Sequence, residues 1–84
     1  MTSKEAKSLA AALKRKFGGR VEFENVDGNG RYGFAIWSKK FNGVPHMKRQ
    51  DDIWEIINEV LDRESILDLG AVIAYAPNDV ALSK

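Results

Sequence analysis

The residues best equipped for chemistry cluster near the middle of the chain. Lys39 and Lys40 precede Phe41-Asn42-Gly43, and Lys48 and Arg49 follow His46. Cations gathered ahead of a helix start can hold a phosphate backbone through charge and backbone amides. Lys39, Lys40, Lys48 and Arg49 are therefore the expected nucleic-acid contacts. Such contacts go to phosphates and not to base edges, so the binding would be weak and without sequence preference. A solvated basic loop is the plainer reading of the same residues. Phe41 is either a ring for a base to stack on or an aromatic tucked into the core. His46 is either part of a partner surface or a solvated loop histidine. Trp37 shares its side of an alternating strand with Gly33 and Ala35, opposite Tyr32, Phe34 and Ile36. If Phe34 and Ile36 face the helices, Trp37 stands on the open face of a sheet. There it marks a partner surface or lies under the C-terminal tail. Trp37, Phe41 and His46 are the expected partner surface.

Little in the chain suits catalysis. His46 is the only histidine and there is no cysteine, so paired metal ligands and a thiol nucleophile are absent. Asp51 and Asp52 are neighbours whose simplest role is to complement a helix dipole. Ser38 has no base within its segment, and Gly28-Asn29-Gly30 sits in a turn and not between a strand and a helix. The expectation is a non-enzymatic binding protein with no cofactor and no metal. Thirteen Lys and Arg against twelve Asp and Glu leave a net charge of +1, too small for bulk attraction to nucleic acid or membrane. No apolar run is long enough to span a bilayer, and Glu5 and Ser8 interrupt the short apolar stretches at the N-terminus. A cytoplasmic protein is expected, with nucleic acid or another protein as partner and no membrane.

The elements that must position these residues can be read from periodicity. The 84 residues, 44% hydrophobic, suit one domain spanning 1–84 with a modest core. Ala6, Leu9, Ala10, Leu13 and Phe17 form one stripe of a helix over Thr2–Phe17, with Thr2 and Glu5 spaced for a capping box and Gly18-Gly19 as its stop. Arg20–Val26 alternates as a half-buried strand, Asp27-Gly28-Asn29-Gly30 is a turn signal, and Arg31–Ser38 is a second strand paired antiparallel to the first. Lys39–Gln50 reads as a loop around Gly43 and Pro45, and Asp51–Leu61 as a second helix with Ile53, Ile56, Ile57, Val60 and Leu61 on one stripe. Asp62–Asp68 is a connection with room for one more turn. Leu69–Ala76 is a β-branched-rich third strand that Pro77 ends, and 78–84 is a short tail. The fold class is α+β, in the order α-β-β-α-β. A βαβ unit makes the second and third strands parallel, giving a three-stranded mixed sheet with helices packed on one face. The predicted core is Leu13, Val21, Phe23, Phe34, Ile36, Ile53, Ile56, Ile57 and Val60.

One family has this layout. Ser38-x-x-Phe41-x-Gly43, then Arg49 and the aromatic Trp54 in an apolar helix, resembles the BolA family. Val26-Asp27 at the end of the first strand and Tyr75-Ala76-Pro77-x-Asp79 after the third also resemble it, and the likeness covers roughly residues 8–80. The resemblance implies a class II KH-like fold. It also implies nucleic-acid binding through the loop and helix after the second strand, with a regulatory role. A further implied role is pairing with a monothiol glutaredoxin, often around a shared [2Fe-2S] cluster held by histidine. In this sequence the family's histidine after the arginine is Gln50, and the cluster-ligating histidine before the third strand is Asp68. The resemblance thus implies partner docking without the cluster ligands.

Overall fold

The computed structural model describes residues 1–26 and 30–77, so the expected turn at 27–30 (apart from Gly30) and the tail at 78–84 lie outside the described residues. Helix α1 spans Ser3–Phe17. Thr2 caps it as the spacing predicts: the Glu5 amide donates to the Thr2 hydroxyl at 3.1 Å and the Thr2 amide to the Glu5 carboxylate at 3.0 Å. Gly18 and Gly19 end it with φ of 69° each. At Gly19 the demand is also steric, because a Cβ there would lie 2.0 Å from the Trp37 carbonyl oxygen. The chain then reverses into strand β1, Arg20–Asn25, which pairs antiparallel with β2, Tyr32–Trp37.

Helix α2, His46–Val60, starts earlier than the sequence pattern predicts, at His46 rather than Asp51. Pro45, with φ −59°, is the N-cap, and its carbonyl accepts the Arg49 amide at 3.0 Å to open the helical ladder. A proline at a helix start sacrifices no donor the helix needs. Residues 46–50 hold a single apolar side chain, Met47, and so no apolar stripe, and periodicity does not mark them as helix. Asp51 and Asp52 consequently fall beyond the first turn, which holds no acidic residue. A short helix α3, Arg63–Ile66, follows, capped by the Asp62 carboxylate on the Ser65 amide at 2.8 Å. Strand β3, Leu69–Tyr75, then pairs parallel with β2. The sheet order is β1-β2-β3, with β2 central. The architecture is α+β, with the order α-β-β-α-β and a three-stranded mixed sheet, as the sequence predicts.

The core lies between the sheet and the pair α1 and α2. Leu9, Leu13, Phe34, Ile36, Ile53 and Ile57 are buried in it, and Val21, Phe23 and Ile56 pack at its margin. Val60 corrects the expectation, being 38% exposed. It is the last residue of α2, and Leu61 takes its place: the extended backbone at Leu61 (φ −106°, ψ 147°) turns that side chain into the core. Ser38, also buried, ties two elements together. Its hydroxyl donates to the Phe17 carbonyl at 2.6 Å and accepts from the Lys40 amide at 3.1 Å, starting a 3₁₀ turn over Lys39–Phe41. Among the described residues no helix is long and apolar enough to cross a membrane.

Two outcomes follow from this packing. Ile57→Ala should lower unfolding stability by about 2–5 kcal/mol, whereas Val60→Ala should stay within about 0.5 kcal/mol; chemical denaturation of both variants checks the pair. The Glu5 carboxyl is held below its ordinary value by the Ser65 hydroxyl and then by the Thr2 amide. A depressed carboxylate stabilises the fold above its unfolded-state pKa, and that contribution disappears as pH falls through the folded-state value. Glu5→Gln should therefore be less stable than the parent at neutral pH and converge with it in acid, as read from denaturation midpoints across pH.

Candidate functional site

The basic stretch is the first place to look for a site, and its geometry divides it. Arg49 is only 3% exposed. Its Nε donates to the Val44 carbonyl at 2.8 Å, and its two terminal nitrogens reach the Phe41 carbonyl at 2.9 Å and the Ala74 carbonyl at 3.2 Å. The expectation that Arg49 meets a phosphate is corrected here. The guanidinium points inward and serves main-chain oxygens of the 3₁₀ turn, the following loop and β3. Phe41 is likewise corrected as a partner surface. It is 2% exposed, packs against the Phe17 ring at 4.9 Å and lies under the Arg49 guanidinium, whose central carbon is 5.7 Å from the ring centre. An arginine that serves backbone carbonyls and covers a ring gives up little by burial, because its fork matches several acceptors at once.

The remaining cations do not converge. Lys40 directs its Nζ to the Lys16 carbonyl at the end of α1, 3.0 Å away. Lys48 pairs with Asp52 one turn along α2 at 2.9 Å, and that hydrogen bond raises its pKa above the ordinary lysine value. Lys39 is exposed on the 3₁₀ turn, and His46 is exposed at the first turn of α2 beside Met47. What the basic stretch builds is a brace around Arg49, with the lysines on its outer side.

The other face of the sheet is different in kind. No described helix covers it. Along β2 it carries Gly33, Ala35 and Trp37, as the alternation predicts. The strand registers place Arg20 and Tyr75 on either side of Trp37. The Trp37 and Tyr75 rings stack at 5.2 Å and 16°, and the Arg20 guanidinium also lies over the indole, 4.8 Å from its ring centre. Arg20 also pairs with Glu22 on the same strand. Beside this row runs a shallow trough of about 560 Å³, with Gly33, Ala35, Ala71 and Ile73 among its lining and Glu22 and Glu24 along its β1 side. Ile73 is 44% exposed and Val26 57%.

Reading 69–76 as one continuous apolar run hides this partition. Register against β2 separates Ile73 and Tyr75, which face outward, from Val72 and Ala74, which face the core. The signal that would have found them is the alternation carried across from β2.

The two positions at which the resemblance implies histidine hold other groups in other roles. Gln50 receives the Trp54 indole N–H at 3.3 Å and donates to the Val72 carbonyl at 3.0 Å. Asp68 takes the Met1 ammonium. Among the described residues no three His, Cys, Asp or Glu side chains come together as metal ligands would.

If Arg49 is a brace, Arg49→Met should lower stability by about 3 kcal/mol or more, since it leaves buried carbonyls without donors. Arg49→Lys should fail to restore it, because one ammonium cannot reach the same set of acceptors. Lys39→Gln should be nearly neutral; denaturant midpoints of the three variants decide. No family model matches the chain and neither does any curated protein, so the reading of the site rests on its own geometry.

Proposed function

We propose that this chain is a non-enzymatic protein-interaction module whose docking surface is the open face of its sheet. The observation that carries the reading is the row Arg20–Trp37–Tyr75 continued by Ile73 and the small residues Gly33, Ala35 and Ala71, on a face without a described helix. Large apolar and aromatic side chains grouped on a surface, with charge at the rim, are the ordinary make-up of an interface centre. Glu22 and Glu24 along one side favour a partner segment with apolar side chains and a basic residue next to them. The resemblance to the BolA family makes a monothiol glutaredoxin the first partner to try, in docking that needs no cluster ligands from this chain. Nucleic acid at the loop after β2 is the weaker reading, because Arg49 is turned inward and Lys48 has Asp52 as its counter-ion.

Titration of the isotope-labelled protein with a monothiol glutaredoxin, followed by NMR, tests this. Shifts are expected at Gly33, Ala35, the Trp37 indole and Ile73. Ile73→Glu should weaken the complex at least about tenfold with little change in the unfolding midpoint. Saturable shifts at Lys39, Lys40 and Lys48 on adding a single-stranded oligonucleotide, with a silent sheet face, would move the function to the basic loop.

A further inference from the structure

The two edges of the sheet are not equivalent. On β3 the Tyr75 carbonyl accepts from the Ser38 amide, so it faces β2, and the carbonyls of Val72 and Ala74 face away. Those outward carbonyls are closed off by α2: Gln50 donates to Val72 and Arg49 to Ala74. On β1 the Val26 amide donates to the Arg31 carbonyl at 2.8 Å, which fixes the parity of the pairing. Residues 20, 22, 24 and 26 bond toward β2, and the main-chain groups of Val21 and Phe23 point outward. Among the described residues no strand or side chain meets them. β1 pairs with β2 without a bulge and contains no proline. An edge with none of these obstacles is a template for another strand.

We propose that β1 pairs antiparallel with β1 of a second copy of this chain, across a two-fold axis at Glu22, joining two sheets into one of six strands. Charge selects both the occupant and the register. With the axis at Glu22, Arg20 stands opposite Glu24 of the second copy, and the reciprocal pair forms as well. Val21 exchanges both main-chain hydrogen bonds with Phe23 of the second copy. Glu22 meets Glu22 of the second copy at the axis, where Arg20 of each chain already neutralises it. Moving the axis to Phe23 would set Glu22 against Glu24 twice, and moving it to Val21 would leave little strand to pair. Opposite charges placed across a strand pair stabilise it and like charges destabilise it. Alternating charges that discourage indiscriminate pairing are thus matched by one arrangement of the same strand. The pairing uses the outward main-chain groups of β1 together with the charges of Arg20 and Glu24, and it stands whether or not the open face binds a partner.

Sedimentation of the full chain at low salt, up to about 1 mM, tests the association. The expected result is a monomer–dimer equilibrium. Arg20→Glu and Glu24→Arg should each weaken it at least about tenfold, and the double variant, which restores opposite charges across the pair, should recover most of the loss. In the parent, the Val21 and Phe23 amides should become protected from hydrogen exchange as concentration rises. A chain that stays monomeric throughout overturns the proposal. So does a dimer that is indifferent to both single substitutions, or one whose double variant is weaker than either single.

Discussion

A single buried guanidinium organises much of this domain. Arg49 reaches main-chain oxygens at Phe41, Val44 and Ala74, so it holds the turn after β2, the loop before α2 and the outer edge of β3 at one point. It does this from the first turns of α2, where the ladder has just opened on the Pro45 carbonyl. The position of α2 relative to β3 is therefore set by directed hydrogen bonds as well as by the apolar contacts of Ile53 and Ile57. Burying a charged group is costly without partners. Here carbonyl dipoles and the Phe41 ring take the place of water around it. A lysine at this position would keep the charge but lose the planar fork that serves several acceptors.

The brace also decides which surfaces remain for function. By drawing Arg49 inward and closing the edge of β3, it takes the strongest cation away from the basic loop. Both long helices lie on the same side, with Phe34 and Ile36 beneath them, and the opposite side of β2 is left with Gly33, Ala35 and Trp37. A chain of this size buries a limited share of its surface, and one core is what it can complete. The uncovered side is not polar throughout. The Trp37–Tyr75 stack, held by Arg20, keeps two large rings ordered at one end of the sheet, and Ile73 continues the apolar strip. Ordered aromatic side chains lose little freedom when a partner covers them, which favours binding. The interaction reading draws on that preorganisation.

Much of this fold was legible in the residues. The stripe of Ala6, Leu9, Leu13 and Phe17, the alternation of Val21 and Phe23, and the Gly18-Gly19 stop each report a local constraint that the structure keeps. The outward position of Trp37 also follows from alternation, once Phe34 and Ile36 are assigned to the core. What periodicity could not report was the beginning of α2. Burial of Arg49 and Phe41 is one cooperative arrangement, and a charged residue next to Lys48 looks solvated until its acceptors are assembled from Phe41, Val44 and Ala74. The same reason explains Val60: helical spacing places it on the apolar stripe, yet the helix ends there and Leu61 reaches the core from extended backbone. The outward orientation of Ile73 and Tyr75 depends on register with β2 and not on their own segment, which is apolar throughout.

Whether Arg49 is a brace or a ligand contact is reported directly by its side-chain protons. In an NMR spectrum of the labelled protein, a guanidinium fixed on backbone carbonyls should show slowly exchanging N–H signals with restricted rotation. Those signals should not change on addition of inorganic phosphate or a single-stranded oligonucleotide. Signals that exchange rapidly with water, or that shift saturably with either probe, would contradict the brace and return Arg49 to the surface.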